Sequence, residues 1–216
     1  MNYFAHGQRF VDQPFVLAGT ATPDWLNVVD RRMRTRKAKA ETFVDDEDTV
    51  LASVATGIVQ HHSDDQWFHQ TRAFAELSLG FTVQIRDLCG QDPGMRPSFL
   101  GHIMVELLLD AHLIENEPAR LDDYYAAIAS VDTAAVAGAI NRLATRQSDK
   151  LEYLIHRFCS ERFLYDYLED EKLLVRVNQV MKRVGLQAVP PEMADWLSPA
   201  RRDVRERAAE LLGGQN

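Results

Sequence analysis

Histidine and carboxylate residues recur at four-residue intervals in two runs: His61, Asp65 and His69, then His102, Glu106 and Asp110. Residues four apart on an α-helix project from the same face, about one turn from each other. Each run therefore lines up three candidate metal ligands along one stripe. Both stripes lie in otherwise apolar sequence, where an uncompensated charge is costly to bury. A cation facing both stripes would compensate them. Imidazole with carboxylate suits zinc, manganese or iron, and the absence of thiolates speaks against a purely structural zinc site. Six ligands exceed one tetrahedral shell, so the pattern accommodates one or two divalent metal ions. His6 in NYFAHG is a further candidate ligand. So is Asp24 in GTATPDW, where Pro23 stiffens a turn and the short acidic side chain reaches inward.

The chemistry such a site implies is metal-assisted hydrolysis. A bound cation lowers the pKa of water from about 15.7 towards about 7, and a pair of cations also holds the oxygens of a phosphoryl group. A carboxylate not consumed as a ligand takes the proton; Asp24, Asp65 and Asp110 are the candidates. An anionic substrate calls for cationic partners. Arg72, three residues beyond His69, is placed to reach the site. The basic stretch from Arg31 to Lys39 offers a lid, a solvated loop being the plainer reading of such a charge run. Arg96 is a weaker candidate. A lone pair at helical spacing ordinarily belongs to a solvated face, whereas two triplets in one half of the chain point to a site. His62 and Asp64 adjoin the first stripe but point about 100° or more away from it, towards solvent. His112 faces away from the second stripe, and His156 reads as structural.

These residues need helices to position them, and the sequence reads as all-α. Apolar spacing predicts helices over 48–62, about 66–89 and about 98–116. The second ends at Gly90, and the third opens after Pro97. LDDYYAAIASV and DTAAVAGAINRLAT follow, then a long segment from about 149 to 184 ended by Gly185. Residues 190–212 give a short helix around Trp196 and a charged last helix. The clearest loop is 30–48, basic then acidic. The apolar positions of RFLYDYLEDEKLLVRVNQVMKRVGL read as core or homodimer contacts, with Tyr165, Asp166 and Tyr167 an alternative closure over a pocket.

The 216 residues suit a single α-helical domain, with a metal-binding core over 1–115 and helical packing and an extension over 116–216. The net charge of −8 argues against a general nucleic-acid binder. Cys89 and Cys159 have neither zinc-ribbon nor redox spacing, which suits a reducing, cytoplasmic setting. MNYFAHGQRF does not read as a secretion signal, and no uninterrupted apolar run approaches about 18 residues, so no membrane span is expected.

The order MNYFAH, an Asp at the end of a glycine-containing stretch (Asp24), GIVQHHSDD and HIMVELLLDAHLI resembles the bacterial acyl-carrier-protein phosphodiesterase family. That family is described as a variant of the all-helical, metal-dependent HD-type phosphohydrolases. The resemblance covers about residues 1–115 and places His6, Asp24, His61, Asp65, Glu106 and Asp110 on motif positions. It implies a compact HD-like helical bundle with a metal site between helices. The His-x-x-x-Asp and His-x-x-x-Glu helices are also similar to those of zinc-dependent phospholipase C. Ser63 splits the usual His-Asp doublet, Glu106 stands for an Asp, and the last motif histidine is displaced to His112. His69 and His102 are additional to the motif. The expectation is therefore a metal-dependent phosphoesterase acting on a small-molecule or carrier-linked phosphate ester. A helical di-iron oxygenase and a non-catalytic, metal-stabilised helical protein are the alternatives.

Overall fold

The computed structural model describes residues 1–90 and 94–213. Among them every regular element is helical. In order these are α1 (Tyr3–Gly7), α2 (Pro14–Val29), α3 (Lys37–Glu41), α4 (Thr49–Phe68), α5 (Arg72–Cys89) and α6 (Pro97–Asn116). Then come α7 (Pro118–Ser130), α8 (Thr133–Leu143), α9 (Leu151–Glu161), α10 (Asp170–Val184) and α11 (Met193–Leu212). Tighter 3₁₀ turns occupy Gln8–Phe10 and Phe163–Leu168.

The chain divides into two compact units made of interleaved stretches. The first unit comprises Asn2–Asp65 and Glu117–Phe163; the second comprises Met1, Gln66–Asn116 and Leu164–Asn216. Neither unit is confined to residues 1–115 or to 116–216; Asn116 is instead where the chain leaves the second unit for the first.

In the first unit α2 is the hub, with α1, α7, α8 and α9 packed on it. Phe4, Leu17, Trp25, Leu26 and Tyr124 are fully buried there. Pro23 lies inside α2 rather than in a turn. Proline withholds an amide from the Gly19 carbonyl, but α2 buries a continuous run from Val16 to Thr22, and tertiary packing outweighs one lost helical bond. The closest approach is between α2 and α4. A Cβ on Gly57 would lie 2.7 Å from Gly19 Cα, and one on Gly19 would lie 2.8 Å from Gly57 Cα. The two backbones touch, so neither position has room for a side chain.

The segment 30–48 is tied down rather than open. Arg34 and Thr145 pair through their backbones, with Thr145 N donating to the Arg34 carbonyl at 2.8 Å. Lys39 Nζ donates to the Arg142 carbonyl at 2.6 Å and to that of Ala144 at 3.3 Å. A cation thus meets the carbonyl end of α8, where the helix dipole favours positive charge. The basic stretch is used as a strap in its own unit, and α3 forms within it.

The long segment from 149 breaks at Arg162, which ends α9 in the left-handed conformation with φ 45°. A non-glycine residue pays about 1–2 kcal/mol for that backbone. Here the guanidinium pairs with Asp122 and lies 5.1 Å from the Tyr125 ring centroid, which offsets the cost.

In the second unit α5 and α6 pack along each other and α11 lies against both. A Cβ on Gly101 would meet Thr82 Oγ1 at 2.6 Å and the Ser78 carbonyl at 2.7 Å, so α5 and α6 also touch closely. Trp196 packs edge-on against Phe81 and donates Nε1–H to Gln84 at 2.6 Å. α11 runs unbroken through Pro199, where two helices were expected. Gly185 ends α10 as anticipated, at φ 76°, with Leu186 N bonded to the Met181 carbonyl. The inward positions of α10, Leu173, Leu174, Val177 and Met181, are buried core. Among the described residues, α6 alone is long and apolar enough to cross a membrane, and 56% of the qualifying window is buried inside the protein. Both cysteines are free thiols.

The helix expected from 66 to 89 is instead interrupted at 69–71. Thr71 caps α5, its hydroxyl accepting from Phe74 N at 3.1 Å. His69 therefore lies in a turn after α4, not on the helix that carries His61 and Asp65.

Forcing a methyl group into the α2–α4 contact tests its role. Gly57→Ala should lower unfolding free energy by about 1–3 kcal/mol, the usual cost of overpacking a tight core. Denaturant melts measure this; an unchanged midpoint would show that the helices can move apart freely.

Candidate functional site

Glycine contact and hydrogen bonding together build the site in the first unit. His61 lies one turn beyond Gly57 on α4, and Thr20 adjoins Gly19 on α2. The contact lets His61 Nδ1 donate to the Thr20 carbonyl at 2.8 Å. A carbonyl only accepts, so Nδ1 carries the proton and Nε2 presents a lone pair. That Nε2 lies 3.4 Å from Asp65 Oδ2.

His6, on α1, is fully buried. Its Nδ1 donates to Asp64 Oδ2 at 3.4 Å. Asp64 is itself held by Arg9, which donates to both carboxylate oxygens at 2.7 and 2.8 Å, and by Gln60 Nε2 at 2.7 Å. The other ring nitrogen, His6 Nε2, lies 3.2 Å from Asp65 Oδ1, yet it is buried without a hydrogen-bond partner. The two imidazoles stack at 4.0 Å and 25°.

Asp65 thus faces two imidazole nitrogens, His6 Nε2 at its Oδ1 and His61 Nε2 at its Oδ2. Burial pushes its carboxyl up in pKa, and the His6 and His61 imidazoles at its oxygens pull it far below the ordinary range. Burial likewise raises Asp64, but its bond to His6 and the Arg9 charge bring it below its usual value. Ligands about 2.0–2.1 Å from a tetrahedral ion lie about 3.3 Å from one another. The 3.2 and 3.4 Å separations run to Oδ1 and Oδ2 of Asp65 respectively, and one ligand atom from each of the three residues lies within 4.8 Å of the others. His6, His61 and Asp65 could accordingly hold a metal ion.

A second group forms within the second unit. His69 Nε2 lies 3.0 Å and His102 Nε2 3.3 Å from the same Glu106 oxygen, Oε1. The Met1 ammonium is 3.2 Å from it. Burial raises the Glu106 carboxyl, and the ammonium with the two imidazoles brings it well below its usual value. Phe74 packs against both rings, at 4.7 Å from His69 and 4.8 Å from His102. These three residues too could hold a metal ion.

The six stripe residues are therefore not one ligand set. His61 and Asp65 join His6, while His102 and Glu106 join His69. Asp110, fully buried on α6, and Asp24, half-buried on α2, belong to neither group. Arg72 is 85% exposed and bonds Glu76 at 2.6 Å, so it does not join His69. His62 turns to the Thr35 carbonyl at 3.2 Å; burial and the neighbouring His61 lower its pKa. His112 pairs with Asn116 and His156 with Thr133, and neither belongs to the two groups. Asp166, for which closure over a pocket was only the alternative reading, pairs with Arg176.

Sequence reasoning missed Asp64, Arg9 and Thr20. Asp64 was assigned to solvent but is 5% exposed. The Gln60–Asp64 spacing was the one signal for it, and nothing local in the sequence tied Arg9 or Thr20 to α4.

The fold and site define an all-helical protein with two histidine–carboxylate groups able to hold a metal ion. Compared with protein-family models, curated proteins and solved structures, the chain matches none in any of the three.

Asp64 should act on metal affinity through His6. Asp64→Asn is expected to weaken binding about 10- to 100-fold, the usual effect of removing a carboxylate that orients a ligating histidine. Competition against a chromophoric chelator reads this directly; wild-type affinity in the variant would reduce Asp64 to a structural role.

Proposed function

We propose that the chain is a metal-dependent phosphoesterase and that His6, His61 and Asp65 hold its divalent metal. The observation that carries the reading is the buried His6 Nε2, which has no hydrogen-bond partner and faces Asp65 at 3.2 Å. A lone pair aimed at a carboxylate in a buried site is unfavourable, and a cation between them turns repulsion into coordination. Both histidines are oriented through their other nitrogen, one by a backbone carbonyl and one by a carboxylate, as metal-ligating histidines commonly are.

A divalent cation here supplies Lewis acidity, bringing water towards ionisation near neutral pH and offsetting phosphoryl charge. Three protein ligands leave a fourth position for water or substrate. The Asp65 side chain is 31% exposed, so this edge of the group opens to solvent. Its carboxylate would hold the cation at that edge. Arg9 keeps Asp64 ionised, which holds His6 in the tautomer that offers Nε2. Arg72 is turned to solvent, so a cation held by His6, His61 and Asp65 would supply the positive charge that an anionic substrate needs. The resemblance to acyl-carrier-protein phosphodiesterases supports a phosphate ester, small or carrier-linked, as the substrate class. The native ion is zinc, manganese or iron on this donor set.

One observation favours a second reading. Two histidines and one carboxylate with open positions also suit Fe(II) oxygen chemistry. Iron content and colour in aerobically purified protein would support it over hydrolysis.

With Mn²⁺ or Zn²⁺ added, the protein should hydrolyse a generic phosphodiester or monoester. His61→Ala should cut turnover more than about 100-fold, since loss of a ligand exceeds the effect of losing its support. A broad phosphoester panel gives the answer: no turnover by chain shown to contain metal would remove the hydrolase reading.

A further inference from the structure

We infer that His69, His102 and Glu106 form a metal site of their own, open to solvent and loaded separately from the His6 group. The inference goes beyond the phosphoesterase reading and does not depend on it. Each ligand comes from the second unit: His69 from the turn after α4, His102 and Glu106 from α6.

Three features point to a cation. First, Glu106 Oε1 draws two imidazole nitrogens and the Met1 nitrogen, at 3.0, 3.3 and 3.2 Å. Two imidazole nitrogens and a carboxylate oxygen thus converge, one ligand atom from each residue lying within 4.8 Å of the others. Second, the rings are preset. Phe74 lies edge-on to His102 at 83° and tilted against His69 at 59°, while the Gly101 contact holds α6 on α5. Third, the separations match the edge of about 3.3 Å expected around a tetrahedral ion.

Exposure sets the character of this site. The His69 and His102 side chains are 32% and 41% exposed, whereas His6 is fully buried. Water reaches the ion, so it exchanges readily and its remaining positions are solvated. The donor set of two imidazoles and one carboxylate selects a borderline divalent ion such as Zn²⁺ over Ca²⁺ or Mg²⁺. The ion would join the 69–71 turn to α6, and binding to the folded form alone raises its stability.

The test uses the full chain, stripped by chelator and titrated with Zn²⁺, with bound metal counted by elemental analysis. Wild type should take two ions, and His102→Ala and His61→Ala one each. Glu106→Gln, which keeps the side-chain volume, should also take one. Zn²⁺ should raise the melting temperature of His61→Ala, in which the second group alone is intact, and the metal-free melts of His102→Ala and Glu106→Gln report whether each variant folds. A His102→Ala chain that binds as many ions as wild type would overturn the inference. A single wild-type ion lost in His61→Ala and kept in His102→Ala would also overturn it, while leaving the phosphoesterase reading intact. A single ion lost only in His102→Ala and Glu106→Gln would support the inference and remove the His6 group as the metal centre.

Discussion

The backbone contact between Gly19 of α2 and Gly57 of α4 sets the geometry on which the His6 group depends. Helices separated by ordinary side chains lie about 8–10 Å apart. At that distance the short imidazole of His61 would not reach the Thr20 carbonyl. With the two glycine Cα atoms pressed together it does, at 2.8 Å. That bond fixes the tautomer, and the tautomer decides whether Nε2 is a proton donor or a metal ligand. A glycine pair in the packing thus sets which ring nitrogen of His61, one turn beyond Gly57, is turned to the backbone carbonyl beside Gly19. On the other side of the group, Gly7 follows His6 in α1, and a Cβ there would fall 2.5 Å from both Leu17 and Tyr124. Again the absence of a side chain lets a histidine-bearing helix lie flat on its neighbours.

Charge compensation explains which acidic residues belong to which task. Asp64 and Asp65 are consecutive on α4 yet differ in role. Asp64 meets a guanidinium, an amide and an imidazole N–H, so its oxygens are satisfied by donors. Asp65 meets two imidazole nitrogens whose partners elsewhere have already taken the ring protons. Adjacent helix positions differ by about 100°, so the two carboxylates look onto different neighbours. A carboxylate held by Arg9 and Gln60 beside one that faces two imidazoles separates an orienting residue from a candidate ligand.

The legible part of the fold was its local part. Helical periodicity, the Pro97 start of α6 and the glycine ends of α5 and α10 are properties of a few consecutive residues. So are the pairs His61–Asp65 and His102–Glu106, which one turn of helix brings together. What could not be read depends on distant chain. The break at Arg162 persists because Asp122 and Tyr125 hold its guanidinium. Lys39 reads as part of a solvated basic run until the carbonyl end of α8 appears beside it. The turn at His69 did have a local mark, the capping residue Thr71, overridden by a periodic pattern that continued through it. Asp24 followed from reading Pro23 as a turn former, whereas Pro23 lies inside α2.

The partition of ligands into two triads bears on what the protein can do. A six-ligand cage around a single octahedral ion would close its coordination shell and leave no place for substrate. A pair of histidines with one carboxylate does the opposite: it holds an ion while leaving a position for water. Stripe arguments from sequence count ligands but not the turn between them. By ending α4 at Phe68, the fold takes His69 off the stripe of His61 and Asp65 and gives it to His102 and Glu106. That one interruption divides a pattern that sequence reads as one site into two groups, each of which could hold a metal ion.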